Sequence, residues 1–137
     1  MEEVVSGHGH ENVSATHGST LEVTTDDFLT PAGDCILAIE ADRPPADFSP
    51  TFVDACRDAE ATITAEIEAG GTVERVTGRG HPDLRFESDR SHVVRTSDYV
   101  DDRTVMVGAD AAAADLGRDL VAALADGAAA TLTLRVE

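Results

Sequence analysis

The chain has 137 residues and a formal net charge of −17, with 27 Asp and Glu residues against ten Arg and no Lys. No apolar run approaches the roughly 20 residues of a transmembrane helix, which argues against a membrane partner. In an ordinary protein this acidity also argues against nucleic acid, because contacts to phosphate dominate that affinity.

The absence of Lys beside so many carboxylates indicates the solvent in which the chain works. At about 1 M salt the Debye length falls to roughly 3 Å, so the self-repulsion of an acidic chain is screened. The composition is therefore typical of cytoplasmic proteins of salt-in halophiles, above all haloarchaea; a mesophilic acidic protein is the alternative. Met1-Glu2-Glu3 is acidic and no apolar segment follows it, so we expect no signal peptide and a cytoplasmic location.

At this length we expect a single domain, residues 1–137, and we find no internal repeat. Residues 1–7 and 12–16 predict a first hairpin, and residues 20–24 alternate as a half-buried strand does. Residues 34–41 carry apolar side chains on both faces, which favours a central strand.

The middle of the chain predicts a short helix and then a hairpin. Ser49 followed by Pro50 is a typical helix start, and we expect this helix over about 50–59. Phe52 and Cys56 share its inner face, so we expect Cys56 to be buried. We expect Cys35 and Cys56 to be free thiols, because a cytosolic protein rarely holds a disulfide. Further strands are predicted at residues 61–69 and 72–77, joined by a Gly70-Gly71 turn, and at 84–86, 93–95 and 104–107.

The last quarter predicts one long helix over about 110–126, with Asp110 as N-cap and Gly127 just past its end. Its apolar stripe consists of Ala113, Leu116, Leu120 and Leu124. Residues 129–136 alternate as a closing strand. The fold class is therefore a β-rich α+β domain, a β-sandwich or distorted barrel with this helix and the short one packed on it.

Histidines concentrate near the start of the chain. His8 and His10 lie on one face if the segment is extended, and His17 follows seven residues later. With Asp34 or Glu11 they are candidates for a divalent metal site. The alternative is that the imidazoles hydrogen-bond to backbone and hydroxyl groups. Cys35 beside His17 is a weaker candidate nucleophile, since its spacing also fits a core strand.

A second polar cluster contains Ser97, Asp98 and Arg103. Arg103 suits a phosphate or carboxylate through bidentate hydrogen bonds. The alternative is an Asp–Arg pair that ties a loop to the sheet. Separately, six Arg residues fall within 29 positions and form the one candidate basic surface, which could bind RNA or a protein partner. The alternative is that these residues form ion pairs with surrounding carboxylates. They are Arg75, Arg79, Arg85, Arg90, Arg95 and Arg103.

Two blocks of this sequence resemble the archaeal family of domains of unknown function numbered 371: GHGHENVSATHGSTLEVTTDDFLTPAGDCI and RTSDYVDDRTVMVGADAAAADL. The resemblance runs from Gly9 to Leu116. It implies a β-sandwich-like fold with helices and no particular activity. Ala111 stands where the family pattern has Lys, and His8 lies outside the pattern. Residues on the pattern are Gly9, His10, Asn12, Thr16, His17, Thr20, Gly33, Asp34, Cys35, Ser97, Asp98, Arg103 and Asp110.

These observations lead to three functional hypotheses. The first is a domain that binds a small anionic ligand or nucleotide in a polar cleft where the two blocks meet. The second is a metal-assisted or acid–base enzyme that uses His10, His17 or Asp34. The third is an RNA or protein assembly factor with an Arg-lined face. The predicted ligand-binding residues are His10, Asn12, Thr16, His17, Thr20, Asp34, Ser97, Asp98 and Arg103.

Overall fold

Eight strands form two four-stranded sheets in the computed structural model, which describes residues 1–137. The strands are β1 Glu2–His8, β2 Thr20–Thr24, β3 Ile36–Ala38, β4 Thr62–Ala69, β5 Thr72–Arg79, β6 Ser91–Arg95, β7 Thr104–Met106 and β8 Ala129–Val136. The helices are α1 Pro50–Cys56 and α2 Arg118–Ala125, each preceded by a 3₁₀ turn, Pro45–Asp47 and Ala113–Asp115. Neither helix is long and apolar enough to cross a membrane.

The first sheet has the order β1-β8-β4-β5 and is antiparallel throughout. The second has the order β3-β2-β6-β7, with an antiparallel central pair and parallel outer pairs. Single bridges, His8 to Ile39 and Arg79 to Val107, link the edges of the two sheets without closing a barrel. The predicted β-rich α+β class with two helices is confirmed.

A continuous apolar core lies between the sheets and under the helices. Alternate residues of each strand point into it, among them Leu21 of β2 and Ile63 of β4. The helices contribute Phe52 and Leu124, both buried. Cys56 is also fully buried beside Phe52 in α1, as predicted, and both cysteines are free thiols.

Strands with a clear alternation are where the sequence predicts them. β2 and β8 have the predicted bounds, and β4 and β5 form the predicted hairpin. Gly70 and Gly71 both have a positive φ, 58° and 81°, which the tight turn between these strands requires.

Three strand predictions are wrong. Residues 12–16 form a loop, and β1 pairs instead with β8 from the other end of the chain. Residues 34–41 contain only the three-residue β3 at the edge of its sheet. Residues 84–86 are a loop in which Phe86 has a φ of 52°, which a strand does not allow. In each case apolar residues are buried by tertiary contacts without belonging to the predicted strand.

The long helix predicted over 110–126 is also wrong in its first half. Asp110 is not its N-cap; its carboxylate accepts the Thr77 N–H at 2.9 Å. The Asp115 carboxylate accepts the Ala112 N–H at 2.9 Å and closes a 3₁₀ turn. The α-helix begins after Gly117, so tertiary hydrogen bonds override the helix propensity of the Ala-rich run.

The two halves of the chain repeat the same structure, so the expectation of no internal repeat is also wrong. β1-β2-β3-α1-β4 corresponds to β5-β6-β7-α2-β8. The Ser49 N–H donates to Glu3 at 2.7 Å, and the Gly117 N–H donates to Glu74 at the same distance. The repeat is easily missed in the sequence because little survives except Gly-X-Gly-His at 7–10 and 78–81 and Ala-Asp at 41–42 and 109–110.

His92 interrupts the core at the position that Leu21 occupies in the first half. It is 1 % exposed, and its ring lies 5.6 Å from that of Phe48. Its Nδ1 donates to the Val23 carbonyl at 3.0 Å, whereas its Nε2 has no partner. Burial lowers the pKa of His92, so the folded protein holds the ring neutral.

We expect His92→Leu to reduce the acid sensitivity of the fold. The folded pKa of His92 is lowered, so wild-type stability is complete above the unfolded value near 6.5 and falls as the pH drops below it. The free energy of unfolding of the variant minus that of wild type should therefore rise by up to about 1.4 kcal/mol per pH unit. Urea titrations at pH 7.5, 6 and 5 measure it, and a constant difference would contradict the assignment.

Candidate functional site

The imidazoles of the first motif block cap turns in their own loop. His10 Nδ1 accepts the Asn12 N–H at 3.0 Å. His17 Nδ1 accepts the N–H groups of Ser19 and Thr20 at 3.2 and 3.1 Å. Because Nδ1 accepts in both, each neutral ring carries its proton on Nε2. These rings therefore present a donor to a ligand rather than a free base.

The three candidate metal ligands serve three separate contacts. His8 Nδ1 donates to the Gly9 carbonyl at 2.7 Å, and its Nε2 lies 3.0 Å from Glu40. Both interactions raise the pKa of His8. His10 and His17 use their Nδ1 atoms in turns, as described, and no three His, Cys, Asp or Glu side chains form a group suited to a metal ion.

Further residues of the first block hold two loops together. The Asn12 side-chain amide donates to the Leu29 carbonyl at 2.8 Å. The N–H groups of Thr16 and His17 both donate to the Asp34 carbonyl, at 3.0 and 3.2 Å. Asp34 thus holds the loops together through its backbone carbonyl, and these hydrogen bonds are structural.

The two motif blocks meet along the central strands of the second sheet, as predicted. Thr20 of β2 lies opposite Arg95 of β6. The Ser19 carbonyl accepts both the N–H and the hydroxyl of Thr96, at 3.0 and 3.1 Å. Ser97 lies beyond this contact and accepts the Tyr99 N–H at 3.3 Å in its own loop. The blocks therefore share a seam of the sheet rather than one cleft.

Asp101 organises the second block. Its carboxylate accepts hydrogen bonds from the Arg95 guanidinium at 3.0 Å, the Arg103 guanidinium at 2.9 Å and the Thr104 hydroxyl at 3.1 Å. Burial alone would raise the pKa of Asp101, but the hydrogen bonds from Arg103 and the two positive charges lower it to about 2. The Asp–Arg pair that ties a loop to the sheet is thus present, with Asp101 in place of Asp98.

Cys35 directly precedes β3 and is half-buried. Its thiol donates to the Glu22 carboxylate at 3.7 Å. Burial, and then the Glu22 charge, raise the pKa of Cys35. A thiolate is the nucleophilic form, so this environment gives no support to a catalytic role.

The predicted basic surface is divided between the two sheets. Arg75 pairs with Glu66 on the first sheet, at 2.9 Å. Arg95 and Arg103 both pair with Asp101 on the second. The remaining members of the cluster include Arg85, paired with Glu87, and Arg90, paired with Asp26. Ion pairs therefore neutralise most of the positive charge of these Arg residues.

An open cleft of about 500 Å³ lies beside the second-half copy of the first motif block. A second, apolar cavity of about 10 Å³ inside the core has room for one water at most. Of the predicted ligand-binding residues only Asp98 lines the cleft. The repeated Gly-X-Gly-His motif is a signal for His81 and its loop, whereas nothing in the sequence points to Arg57. The lining residues are Arg57, His81, Asp83, Arg85, Asp98, Tyr99 and Val100.

The two copies of this loop differ at a contact that lies beside the cleft. Asn12 and Leu29 correspond to Asp83 and Val100. In the first half the Asn12 amide donates to the Leu29 carbonyl and draws the two loops together. Asp83 has no donor for the Val100 carbonyl, because an ionised carboxylate only accepts. The same turn is otherwise kept, since His81 Nδ1 accepts the Asp83 N–H at 3.0 Å.

Comparisons with known proteins agree with the two motif blocks. The family model described as "Domain of unknown function (DUF371)" matches residues 5–137. The chain is also similar to "Uncharacterized protein MJ0206" of Methanocaldococcus jannaschii, with 42% identity over 127 residues, or 93% of each chain.

Proposed function

Because the chain belongs to the DUF371 family, whose description names no ligand, we propose a function from the geometry: the protein binds a small anionic ligand in the cleft beside His81. The cleft carries this proposal. Its volume falls in the range of small-molecule sites, roughly 300–1,000 Å³.

The donors in the cleft suit an anion. The Arg57 Nε–H donates to the Pro82 carbonyl at 3.2 Å, and the two terminal nitrogens of this guanidinium make no hydrogen bond or ion pair. Arg85 lies 3.4 Å from Glu87, and this pair is exposed enough to exchange for a ligand. His81 accepts a backbone N–H at Nδ1, so its Nε2–H is a third donor.

The other hypotheses receive less support. An acid–base enzyme would need His10 or His17 as a free base, but both use Nδ1 to accept backbone N–H groups. An assembly factor would need a continuous Arg face, and the Arg residues are divided between two sheets.

We also propose that the protein is adapted to molar salt, because its net charge is −17 and it has no Lys. The binding assays therefore use 2 M KCl.

We expect ribose 5-phosphate to bind in the cleft with a millimolar Kd in 2 M KCl. NMR titration should shift the amide signals of residues 81–85 and 98–100. Arg57→Ala and Arg85→Ala should each weaken binding about tenfold, the value of one charge-assisted hydrogen bond. Arg75 is an exposed Arg of β5 in the first sheet and does not line the cleft, so Arg75→Ala is the matched control and should bind like wild type.

Two substitutions of Asp83 separate the shape of the cleft from its charge. Asp83→Asn supplies an amide that can donate to the Val100 carbonyl and close the cleft, so binding should weaken although a negative charge is lost. Asp83→Ala removes the same charge without supplying a donor, so binding should strengthen. Equal effects of both variants, or shifts far from the cleft, would count against the proposal.

A further inference from the structure

We infer that the ligand of this cleft is a nucleotide, with its base stacked on Tyr99 and its phosphate on Arg57 and Arg85. This inference rests on the proposed function and adds the class of ligand.

Tyr99 is a ring held in place but not covered. It is 59 % exposed and is one of five large apolar or aromatic side chains that remain exposed. The Arg95 guanidinium lies 4.8 Å from its ring centroid. Arg95 is itself 9 % exposed and is fixed by hydrogen bonds to Thr104 at 2.8 Å and to Asp101 at 3.0 Å.

The cleft therefore borders a ring that is supported from outside it. Arg95 is not among the residues that line the cleft, whereas Tyr99 is. Tyr99 is 59 % exposed and lines the cleft, so part of its surface is open to a ligand there. An aromatic ring that is already fixed loses little conformational entropy when a base stacks on it.

The carboxylates of the cleft select against a bare anion. Asp83 and Asp98 line the cleft together with Arg57 and Arg85. They would repel phosphate alone, but they accept hydrogen bonds from the amino and ring N–H groups of a base. A ligand with an anionic group and N–H donors satisfies both sets, and a nucleotide whose base carries an amino group has this chemistry.

The net charge of the whole chain also favours a nucleotide over a plain phosphate. A net charge of −17 opposes any anion at long range. At molar salt this repulsion is screened, but so is the attraction of Arg57 and Arg85 for a distant phosphate. Stacking does not depend on charge in this way, so a ligand with an aromatic base gains affinity that a plain phosphate lacks.

The repeat supplies a matched control for this role. Phe28 corresponds to Tyr99 and is 60 % exposed. Thr24 stands where Arg95 supports the second ring, and no cleft opens beside Phe28. A general effect of removing an exposed ring will therefore appear at both positions, whereas loss of a stacking platform will appear at Tyr99 alone.

The test compares guanosine 5′-monophosphate with ribose 5-phosphate by calorimetry and NMR on the full chain in 2 M KCl. We expect the nucleotide to bind at least tenfold more tightly. Tyr99→Leu should remove most of this ratio, Tyr99→Phe should retain it, and Phe28→Leu should leave it unchanged. Far-UV circular dichroism checks that each variant is folded.

The outcomes separate the inference from the proposed function. Equal affinity for the two probes, or a ratio that Tyr99→Leu leaves intact, overturns the nucleotide while the anion site stands. If neither probe binds at 20 mM, or if Arg57→Ala and Arg85→Ala have no effect on either, the proposed function fails as well. A lower ratio in Phe28→Leu as in Tyr99→Leu also overturns the stacking role.

Discussion

A Gly9→Ala variant is expected to lose about 3 kcal/mol or more of its free energy of unfolding, at the upper end of the cost of overpacking. A Cβ at Gly9 would overlap the carbonyl group of Leu124 at the end of α2. This neighbour is backbone, so it cannot move aside as a side chain can. The neighbouring His10 N–H, which donates to the same carbonyl at 2.9 Å, would also be displaced.

Urea titration monitored by circular dichroism measures this effect, and the chain provides its own controls. Gly18 lies in the same loop and has open space at its Cβ position, so Gly18→Ala should change the free energy of unfolding by less than about 0.5 kcal/mol. Gly80 is the second-half copy of Gly9 and meets the Cys56 carbonyl in the same way. Gly80→Ala should therefore be as costly, and a mild effect at either position would contradict the close approach.

An Asp101→Asn variant is expected to lose about 3 kcal/mol near pH 7. Asp101 neutralises Arg95, whose side chain is 10 % exposed, and it also accepts from Arg103 and Thr104. Removal of one partner leaves a mostly buried charge unpaired, which costs roughly 3–5 kcal/mol. The lower end applies here because the Asp101 side chain is still 18 % exposed.

The same residue predicts a pH dependence. The folded pKa of Asp101 is lowered from 3.8 to about 2, so its contribution is complete above the unfolded value and is lost as the pH falls toward the folded one. The difference between wild type and Asp101→Asn should therefore shrink by about 1 kcal/mol between pH 6 and pH 3. Asp98→Asn, a neighbouring carboxylate outside this cluster, is the control and should be nearly neutral. A difference that does not change with pH would mean that the cluster does not lower the pKa of Asp101.

The candidate site could be predicted from the sequence in part. The two polar motif blocks lie together, as their excess of polar side chains indicates, and Thr20 lies opposite Arg95. The roles inside them were not readable: His17 and Asn12 hydrogen-bond within the fold, and both could equally have faced a ligand. The cleft is not readable from the sequence, because the exchange of an amide for a carboxylate at Asn12 and Asp83 has meaning only when the repeat is known.

Local features of the fold are readable from the amino-acid sequence. Alternation placed β2, β4 and β8, two glycines placed the turn after β4, and the spacing of Phe52 and Cys56 placed the buried face of α1. Each of these signals depends on the geometry of a single element, which repeats every two or 3.6 residues.

Strand pairing and the start of the helix in the last quarter depend on contacts between residues that are far apart in the sequence. β1 pairs with β8 across 120 residues or more, and no local pattern specifies a partner so distant. The Ala-rich run before Gly117 has the propensity for a helix, but the Asp110 carboxylate accepts the Thr77 N–H and the Ala114 N–H donates to the His17 carbonyl, and these distant contacts hold the run in another form. The repeat, the cleft and the close approach at Gly9 arise in the same way, because they depend on which backbone groups the folded chain brings into contact.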